Sequence, residues 1–488
     1  MESIKLNRNN LPRVNAAVSI PRYSRQDLSP SIVHIGLGNF HRSHQAAYLD
    51  ELLEKGIEKR GIFGINLVPG AFPLEKILKE QDYLYTLITK DPFDDVKVRI
   101  AGSVMGYLNG AANRQAAIEH IADNGTALVT LTVTEKGYYF DRKTGEIDSS
   151  LKAVQNDLEH PEVPATAAAT IARALALRYK TGRAPLTIMS CDNIPSNGRV
   201  LENCVLYYCE NLYREIIPWV KDRVSFPCSM VDRITPVTTE ALTKELEERY
   251  GICDRWPVCG EDFRQWILED NFKTPVPPYE EAGVQIVKSA EPYELMKMRL
   301  LNGSHSALAY PSYLLGCRMV DEGIGNPLIK RFIRDCYMEE VTATLEPVQG
   351  IDLGSYKDTL ISRFSNKNIG DTILRLCSEG SSKIPGFIAK PLSQAIRRGL
   401  PHKNMIFALA ACARFYEGID EQGIAIPLDD INSRTMSEAA QSAATNPETF
   451  LNLIGLNDLN ADQTKNAAAE FKTALEKIRT KGIRAALS

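Results

Sequence analysis

The chain has 488 residues, 44% of them hydrophobic and 24% charged, proportions ordinary for a globular protein. Its 57 Lys and Arg against 61 Asp and Glu leave a formal net charge of −4, with no long block of like charges. That balance excludes nucleic acid and an anionic membrane as main partners, because both need a basic field, and leaves small molecules. The length predicts two or three domains at roughly 150 residues each. The first residues, from Met1 to Pro21, hold no apolar core of signal-peptide length, and no stretch of about 18 apolar residues follows. A cytoplasmic protein without a membrane span is expected, and nothing demands more than a monomer. Ten cysteines, at 191, 204, 209, 228, 253, 259, 317, 336, 377 and 412, include no Cys-x-x-Cys pair and read as free thiols. The seven histidines form no zinc-type spacing, so no metal site is expected.

In chain order, Ser31 to Ile35 reads as a strand, about His41 to Lys55 as a helix, and Gly61 to Val68 as a second strand. Further strands are predicted at Tyr83–Thr89, Val96–Val104, Ala127–Thr134, Leu186–Ser190 and Val224–Met230, with an Ala-rich helix over Ala165–Leu177. Such alternation predicts an α/β fold of Rossmann type: a mostly parallel sheet with helices on both faces. The segment Lys90 to Asp95 reads as a turn, so part of the sheet is expected to be antiparallel. The Pro-rich stretch Thr274 to Pro278 breaks the pattern. Beyond about residue 290 the chain reads as helix after helix, ending in Ala461–Leu487. The expected division is a dinucleotide-type domain over 1–285 and a mainly helical substrate and catalytic domain over 286–488.

Gly36-Leu37-Gly38-Asn39-Phe40-His41 follows a strand and opens a helix. In that context a Gly-x-Gly turn lets the backbone approach a pyrophosphate. His41 stands where the fingerprint has its third glycine. A tight turn without a ligand is the plain alternative. The second strand runs out in Asn66-Leu67-Val68-Pro69-Gly70-Ala71, with neither the acid that holds a ribose hydroxyl nor a basic residue for a 2′-phosphate.

A second constellation lies between Tyr293 and His305. On an α-helix Asn302 falls about 140° and His305 about 80° round from Lys297, so all three can address one cleft. A lysine beside an amide and an imidazole suits a general base with oxyanion-type partners. The bland alternative is a solvated Lys, a capping Asn and a satisfied His. Tyr293-x-x-x-Lys297 matches the dyad of short-chain dehydrogenases, but it falls beyond the Pro-rich break and is set aside. Polar clusters at Thr132–Gly137, Ser190–Asn193 and Met230–Arg233 end three predicted strands, where open α/β sheets bind ligands. Arg375 and Lys383 are placed to grip hydroxyls or a carboxylate, or else form an exposed loop pair.

These segments closely resemble the polyol-specific long-chain dehydrogenases, the family of mannitol 2-dehydrogenases and hexuronate reductases. The likeness rests on Ile32–His44, Leu131–Gly137, Met189–Asn193, Met230–Pro236, Phe263–Phe272 and the Lys297, Asn302, His305 signature, and it runs from about residue 30 to 480. It implies NAD as cofactor, with NADP left open, held by Ile35, Gly36, Leu37, Gly38, Asn39, Phe40, His41, Arg42, Thr134 and Val231. It implies catalysis by Lys297, Asn302, His305 and Asn193, substrate contacts from Asp232, Arg375 and Lys383, and a proton relay through Glu135.

The stretch from Arg375 to Pro385, with Val224–Pro227 and Arg255–Pro257, looks like mannitol dehydrogenases. Glu135–Gly137 and Asn66–Leu67 look like uronate reductases. The acid that secures NAD in some relatives would fall at Ala71. The resemblance therefore implies zinc-independent transfer of hydride between C2 of a polyol and nicotinamide, with D-mannitol and D-fructose as the expected pair. Lys297 would be the base, favoured by alkaline pH in oxidation. Reduction of D-fructuronate to D-mannonate, or of D-tagaturonate to D-altronate, is the alternative. A silent nucleotide-binding sensor is the alternative of another class, disfavoured by the presence of the whole proton-transfer set.

Overall fold

The computed structural model describes residues 3–70, 72–141 and 144–488, and Ala71 lies outside them. The chain divides into two compact units: Met1–Asp91 with Asp95–Glu291, and Pro292–Ser488 with Pro92–Asp94.

The first unit contains strands β1 (Ser29–Ile35), β2 (Arg60–Asn66), β3 (Tyr85–Lys90), β4 (Val96–Ala101), β5 (Val104–Asn109), β6 (Leu128–Leu131), β7 (Leu186–Ser190), β8 (Val224–Ser225), β9 (Ser229–Asp232), β10 (Val258–Glu261), β11 (Gln265–Glu269) and β12 (Gln285–Val287). Six of them form one sheet in the order β5-β2-β1-β6-β7-β8, and every neighbouring pair is parallel. Numbered within that sheet, the order is 3-2-1-4-5-6, the doubly wound arrangement whose switch point lies between its first and fourth strands. The sequence supports this directly. Ile32, Val33 and Ile35 of β1, Leu128, Val129 and Leu131 of β6, and Leu186 and Ile188 of β7 are all buried. Strands covered on both faces lose the alternating pattern and read as apolar runs.

Two predicted strands are each two strands in the structure. Val96–Val104 breaks at Gly102–Ser103: β4 pairs antiparallel with β3, as the Lys90–Asp95 turn predicts, while β5 joins the large sheet. Val224–Met230 breaks at Phe226–Cys228, where Pro227 has no N–H to continue a ladder. Its first part, β8, ends the large sheet, and β9 enters a three-stranded sheet in the order β9-β11-β12. The predicted strand Ala127–Thr134 stops at Leu131, and the predicted helix from His41 is interrupted at His44 (φ −112°, ψ −86°).

The second unit is helical. Its central helix, Gly303–Leu314, is buried along almost its whole length, and the helix Lys403–Tyr416 packs on it. A helix that is apolar all round belongs in a core. The last helix, Ala461–Leu487, coincides with the predicted range and is kinked at Gly482. Three stretches are π-helical: Lys297–Asn302, Phe332–Tyr337 and Pro385–Ala389. Among the described residues no helix is long and apolar enough to cross a membrane. All ten cysteines are unbridged.

Candidate active site

At the end of β1 the chain turns at Gly36, whose φ of +97° suits glycine. A Cβ there would sit 2.1 Å from the carbonyl oxygen of Thr132, just beyond β6. Gly36 N–H donates to Ile65 O at 2.8 Å and Thr132 N–H to Ile35 O at 2.9 Å, so the turn lies at the switch point itself. Only glycine lets the backbone beyond β6 close on the turn this tightly.

His41, in place of the third glycine, stacks on His34 with centroids 3.4 Å apart and planes 18° from parallel. His34 is fixed in turn by Thr130 Oγ1 (2.7 Å) and Thr132 Oγ1 (2.8 Å). The third glycine normally permits close helix–strand packing; here a flat ring on a flat ring fills the same gap. Burial pushes His34 down to about 3, and it holds His41 far below 6.5, with the neighbouring His34 adding to the effect.

The side chains of Ile35, Leu37 and Arg42 face inward and are fully buried. Leu37 packs on Gly64, where a Cβ would come within 2.7 Å of it. Arg42 donates to Gly38 O, Asn39 Oδ1 and Trp256 O, and Tyr85 Oη donates to Arg42 O. These residues shape the turn, and only their backbone is left to meet a ligand. Asn39 Nδ2 donates to Thr238 Oγ1 and Ser43 shares a hydrogen bond with Thr235, which ties the segment to the chain after β9. At the end of β2, Asn66 Oδ1 is buried with no hydrogen-bond partner among the described residues. Ala71, the position at which the resemblance would put an acid, carries none and lies outside the described residues.

Beyond β6, Thr134 adopts φ 62° and ψ 162°, a conformation that costs a non-glycine residue about 1–3 kcal/mol. The Asp192 carboxylate offsets this by accepting from Val133 N–H (3.0 Å) and Thr134 N–H (2.8 Å). It also accepts from Tyr138 Oη at 2.6 Å, and that hydroxyl lies 2.6 Å from Ser190 Oγ. Burial pushes Asp192 above the usual carboxylate range against the pull of these three donors. Glu135 opens the short 3-10 turn within this loop and is half-buried. Thr134 N–H is thus engaged by the Asp192 carboxylate and its carbonyl accepts from Gly137 N–H at 2.9 Å, while the residue as a whole is exposed. Asn193 follows Asp192 and is exposed. The role of Asp192 escapes sequence reading; its one signal is an acid directly before Asn193 at a strand end.

Val231 and Asp232 end β9 and are buried. Arg233 donates to Glu261 O (2.8 Å), Thr89 Oγ1 (3.2 Å) and Ser43 O.

In the second unit the geometry differs from the α-helical expectation. Lys297–Asn302 is a π-helix, whose backbone bonds run i to i+5, so residues five apart stand one above the other. Lys297 and Asn302 therefore share a face instead of diverging by about 140°. Lys297 is 6% exposed. Asn302 Nδ2 is a buried donor with no hydrogen-bond partner among the described residues. His305, one turn into the following α-helix, lies against Phe364 with ring centroids 4.3 Å apart. Between them Gly303 is a point of close approach: a Cβ would meet Phe387 O and Tyr337 Oη, each at 2.9 Å, and both residues belong to the other two π-helical stretches.

Arg375 is held by Asp371 through two hydrogen bonds of 2.5 Å. That pair raises the Arg375 pKa. Lys383 Nζ lies 3.4 Å from Arg375 O and 3.5 Å from Leu376 O and Ser378 Oγ. Burial, then the Arg375 charge, lowers its pKa. The short helix Gly380–Ile384 that carries Lys383 is fixed by Asp430, which accepts from Ser381 N–H and Oγ and from Tyr416 Oη. Arg375 and Lys383 do come together, but Arg375 already has a carboxylate partner four residues before it.

A doubly wound sheet with a glycine turn at its switch point, and a helical unit bearing a buried lysine on one face with an amide donor that has no partner among the described residues, fit an oxidoreductase of the two-domain dehydrogenase class. Residues 30–281 match the mannitol dehydrogenase Rossmann domain and residues 289–479 the mannitol dehydrogenase C-terminal domain. The chain belongs to the mannitol dehydrogenase family. Its relatives include the mannitol 2-dehydrogenase of Phaeosphaeria nodorum, 39% identical over all of this chain and 85% of the relative. That of Aspergillus fumigatus is 37% identical over 99% of this chain and 98% of the relative. Among solved structures, Pseudomonas fluorescens mannitol 2-dehydrogenase in ternary complex with NAD and D-mannitol superposes with a TM-score of 0.89 at 38% identity, covering 99% of each chain. A substrate-free D-sorbitol dehydrogenase superposes at 0.90 with 33% identity, over 99% of this chain and all of that one.

Proposed function

We propose that the protein is an NAD-dependent mannitol 2-dehydrogenase that interconverts D-mannitol and D-fructose. The observation that carries this reading is likeness at 37–39% identity to mannitol 2-dehydrogenases over both units at once. The local geometry supports it. The tight glycine turn at the switch point is of the kind that receives a dinucleotide backbone, and residues 66–71 after β2 include no basic side chain of their own for a 2′-phosphate. When bound, NAD supplies the acceptor for the hydrogen and electron pair leaving C2.

Lys297, as the neutral amine, takes the C2 hydroxyl proton. Asn302 Nδ2 and Asn193 donate hydrogen bonds to the oxygen as its charge develops, and His305 orients that oxygen or the amine. One such donor is worth about 3–4 kcal/mol in the transition state. Asp232 and Lys383, with Arg375, hold the distal hydroxyls, and Glu135 passes the proton to solvent.

The test is oxidation of NADH and NADPH by purified protein at pH 7 with D-fructose, D-fructuronate and D-tagaturonate. Preference for D-fructose with NADH is expected; preference for either uronate moves the protein to hexuronate reduction. A second reading, D-sorbitol oxidation, is favoured by the likeness to a D-sorbitol dehydrogenase. Mannitol and sorbitol differ at C2, so their relative kcat/KM with NAD separates the two.

A further inference from the structure

Resting on the reading of Glu135 as the proton relay, we propose that Asp192 is a positioning residue that sets the Glu135 carboxylate by clamping both shoulders of its loop. On one shoulder its two oxygens accept from the successive N–H groups of Val133 and Thr134, at 3.0 and 2.8 Å. On the other, Oδ2 accepts from Tyr138 Oη at 2.6 Å. Glu135 lies between, and the turn is closed within itself by Gly137 N–H to Thr134 O (2.9 Å) and Tyr138 N–H to Glu135 O (3.2 Å). A residue in the left-handed region at Thr134 is held only where its surroundings over-determine it, and the carboxylate with two N–H donors does so here.

The clamp itself is anchored. Asp192 is 7% exposed, Tyr138 2% and Ser190 fully buried. Asp192 O accepts from Asn197 Nδ2 at 2.9 Å, and the same amide nitrogen donates to Ser229 O at 2.8 Å. Asn197 Oδ1 takes Ser229 N–H at 2.9 Å, while Ser229 Oγ donates to Ser190 O at 2.6 Å. The carboxylate is therefore fixed to the end of β7 and the start of β9, and the Glu135 loop is held by it. Nothing in the proposed chemistry calls on Asp192 to touch substrate.

The test is a double-mutant cycle on Asp192→Asn and Glu135→Gln, read as kcat, KM and the pH profile of polyol oxidation, with NADH affinity by fluorescence. An amide at position 192 keeps the size but sets an N–H against one of the two backbone N–H groups. The expected result is a fall in kcat of about 10- to 100-fold, the scale of an ångström-sized misplacement, with KM for polyol changing far less and NADH affinity reporting any separate displacement of Thr134. The pH profile should move toward that of Glu135→Gln, and Asp192→Asn should add little further loss in the Glu135→Gln background.

Equal losses in both backgrounds, or wild-type kcat and pH profile in Asp192→Asn, would overturn the positioning role and leave the relay standing. A wild-type profile for Glu135→Gln overturns the relay, and the clamp's target with it. If Asp192→Asn does not fold, Tyr138→Phe keeps the carboxylate and removes one donor. A smaller kcat loss with the same direction of pH shift is then expected, and wild-type behaviour in that variant overturns the proposal.

Discussion

The imidazoles of His34 and His41 lie face to face, 3.4 Å apart, beneath the glycine turn. Both are fully buried and held neutral, as is His44 on the same segment, which burial brings to about 3. The consequence is for stability. Each ring titrates near 6.5 when unfolded, so below that pH the unfolded chain binds more protons and stability falls as pH falls. The contribution is complete above about pH 6.5 and is lost progressively toward pH 3. At pH 5 each such histidine costs about 2 kcal/mol relative to pH 8. Urea unfolding at pH 8 and pH 5 should show the loss, and His34→Gln should reduce the difference by about that amount. An unchanged difference in the variant would mean that His34 is not a neutral buried group.

Gly36→Ala tests the glycine turn. Both the positive φ and the 2.1 Å approach to Thr132 O forbid a Cβ without backbone movement. NADH affinity should drop by more than about tenfold, equivalent to 1.4 kcal/mol, while circular dichroism reports a folded protein. Retained affinity in a folded variant would show that the backbone of this turn does not contact the cofactor.

Lys297→Ala should abolish turnover and leave NADH binding largely intact, because the base enters only in the transition state. A variant that keeps more than about a tenth of the wild-type rate would refute the assignment. In the wild type, oxidation should rise toward alkaline pH and ketose reduction should favour neutral pH. A flat oxidation profile would count against an amine base.

Gly303→Ala tests the π-helical register. Its Cβ would press on Phe387 O and Tyr337 Oη at 2.9 Å, so the turn carrying Lys297 and Asn302 must shift. Overpacking of this kind costs about 1–3 kcal/mol of stability, and the displacement should lower kcat by about 10- to 100-fold. Thermal unfolding and steady-state kinetics on the same preparation check both. Wild-type kcat at reduced stability would separate the packing from the chemistry.

Arg375→Ala should raise the KM for ketose by about tenfold with kcat little changed, the cost of one charge-assisted hydrogen bond. Because the Arg375–Asp371 pair is largely exposed on the arginine side, Asp371→Asn should alter stability by less than about 1 kcal/mol. An unchanged KM in Arg375→Ala would leave that ion pair as the only role of the arginine.

Much of this was written in local sequence. Apolar runs separated by Ala-rich helices determine a parallel sheet, since strands buried on both faces need no alternation. Gly36 and Gly38 mark the turn, and Lys297, Asn302 and His305 are legible as a set by residue type and spacing. What the sequence could not determine depends on contacts between distant segments. The strand breaks at Gly102–Ser103 and Phe226–Cys228 follow from which partner each half finds. The stacking of His41 on His34 replaces a glycine by a neighbour seven residues away. The π-helical step that brings Asn302 over Lys297 adjoins the close packing at Gly303, and a periodicity of 3.6 residues cannot foresee it. The grip of Asp192 on Val133, Thr134 and Tyr138 spans more than fifty residues, and only the parallel pairing of β6 with β7 brings those strand ends together.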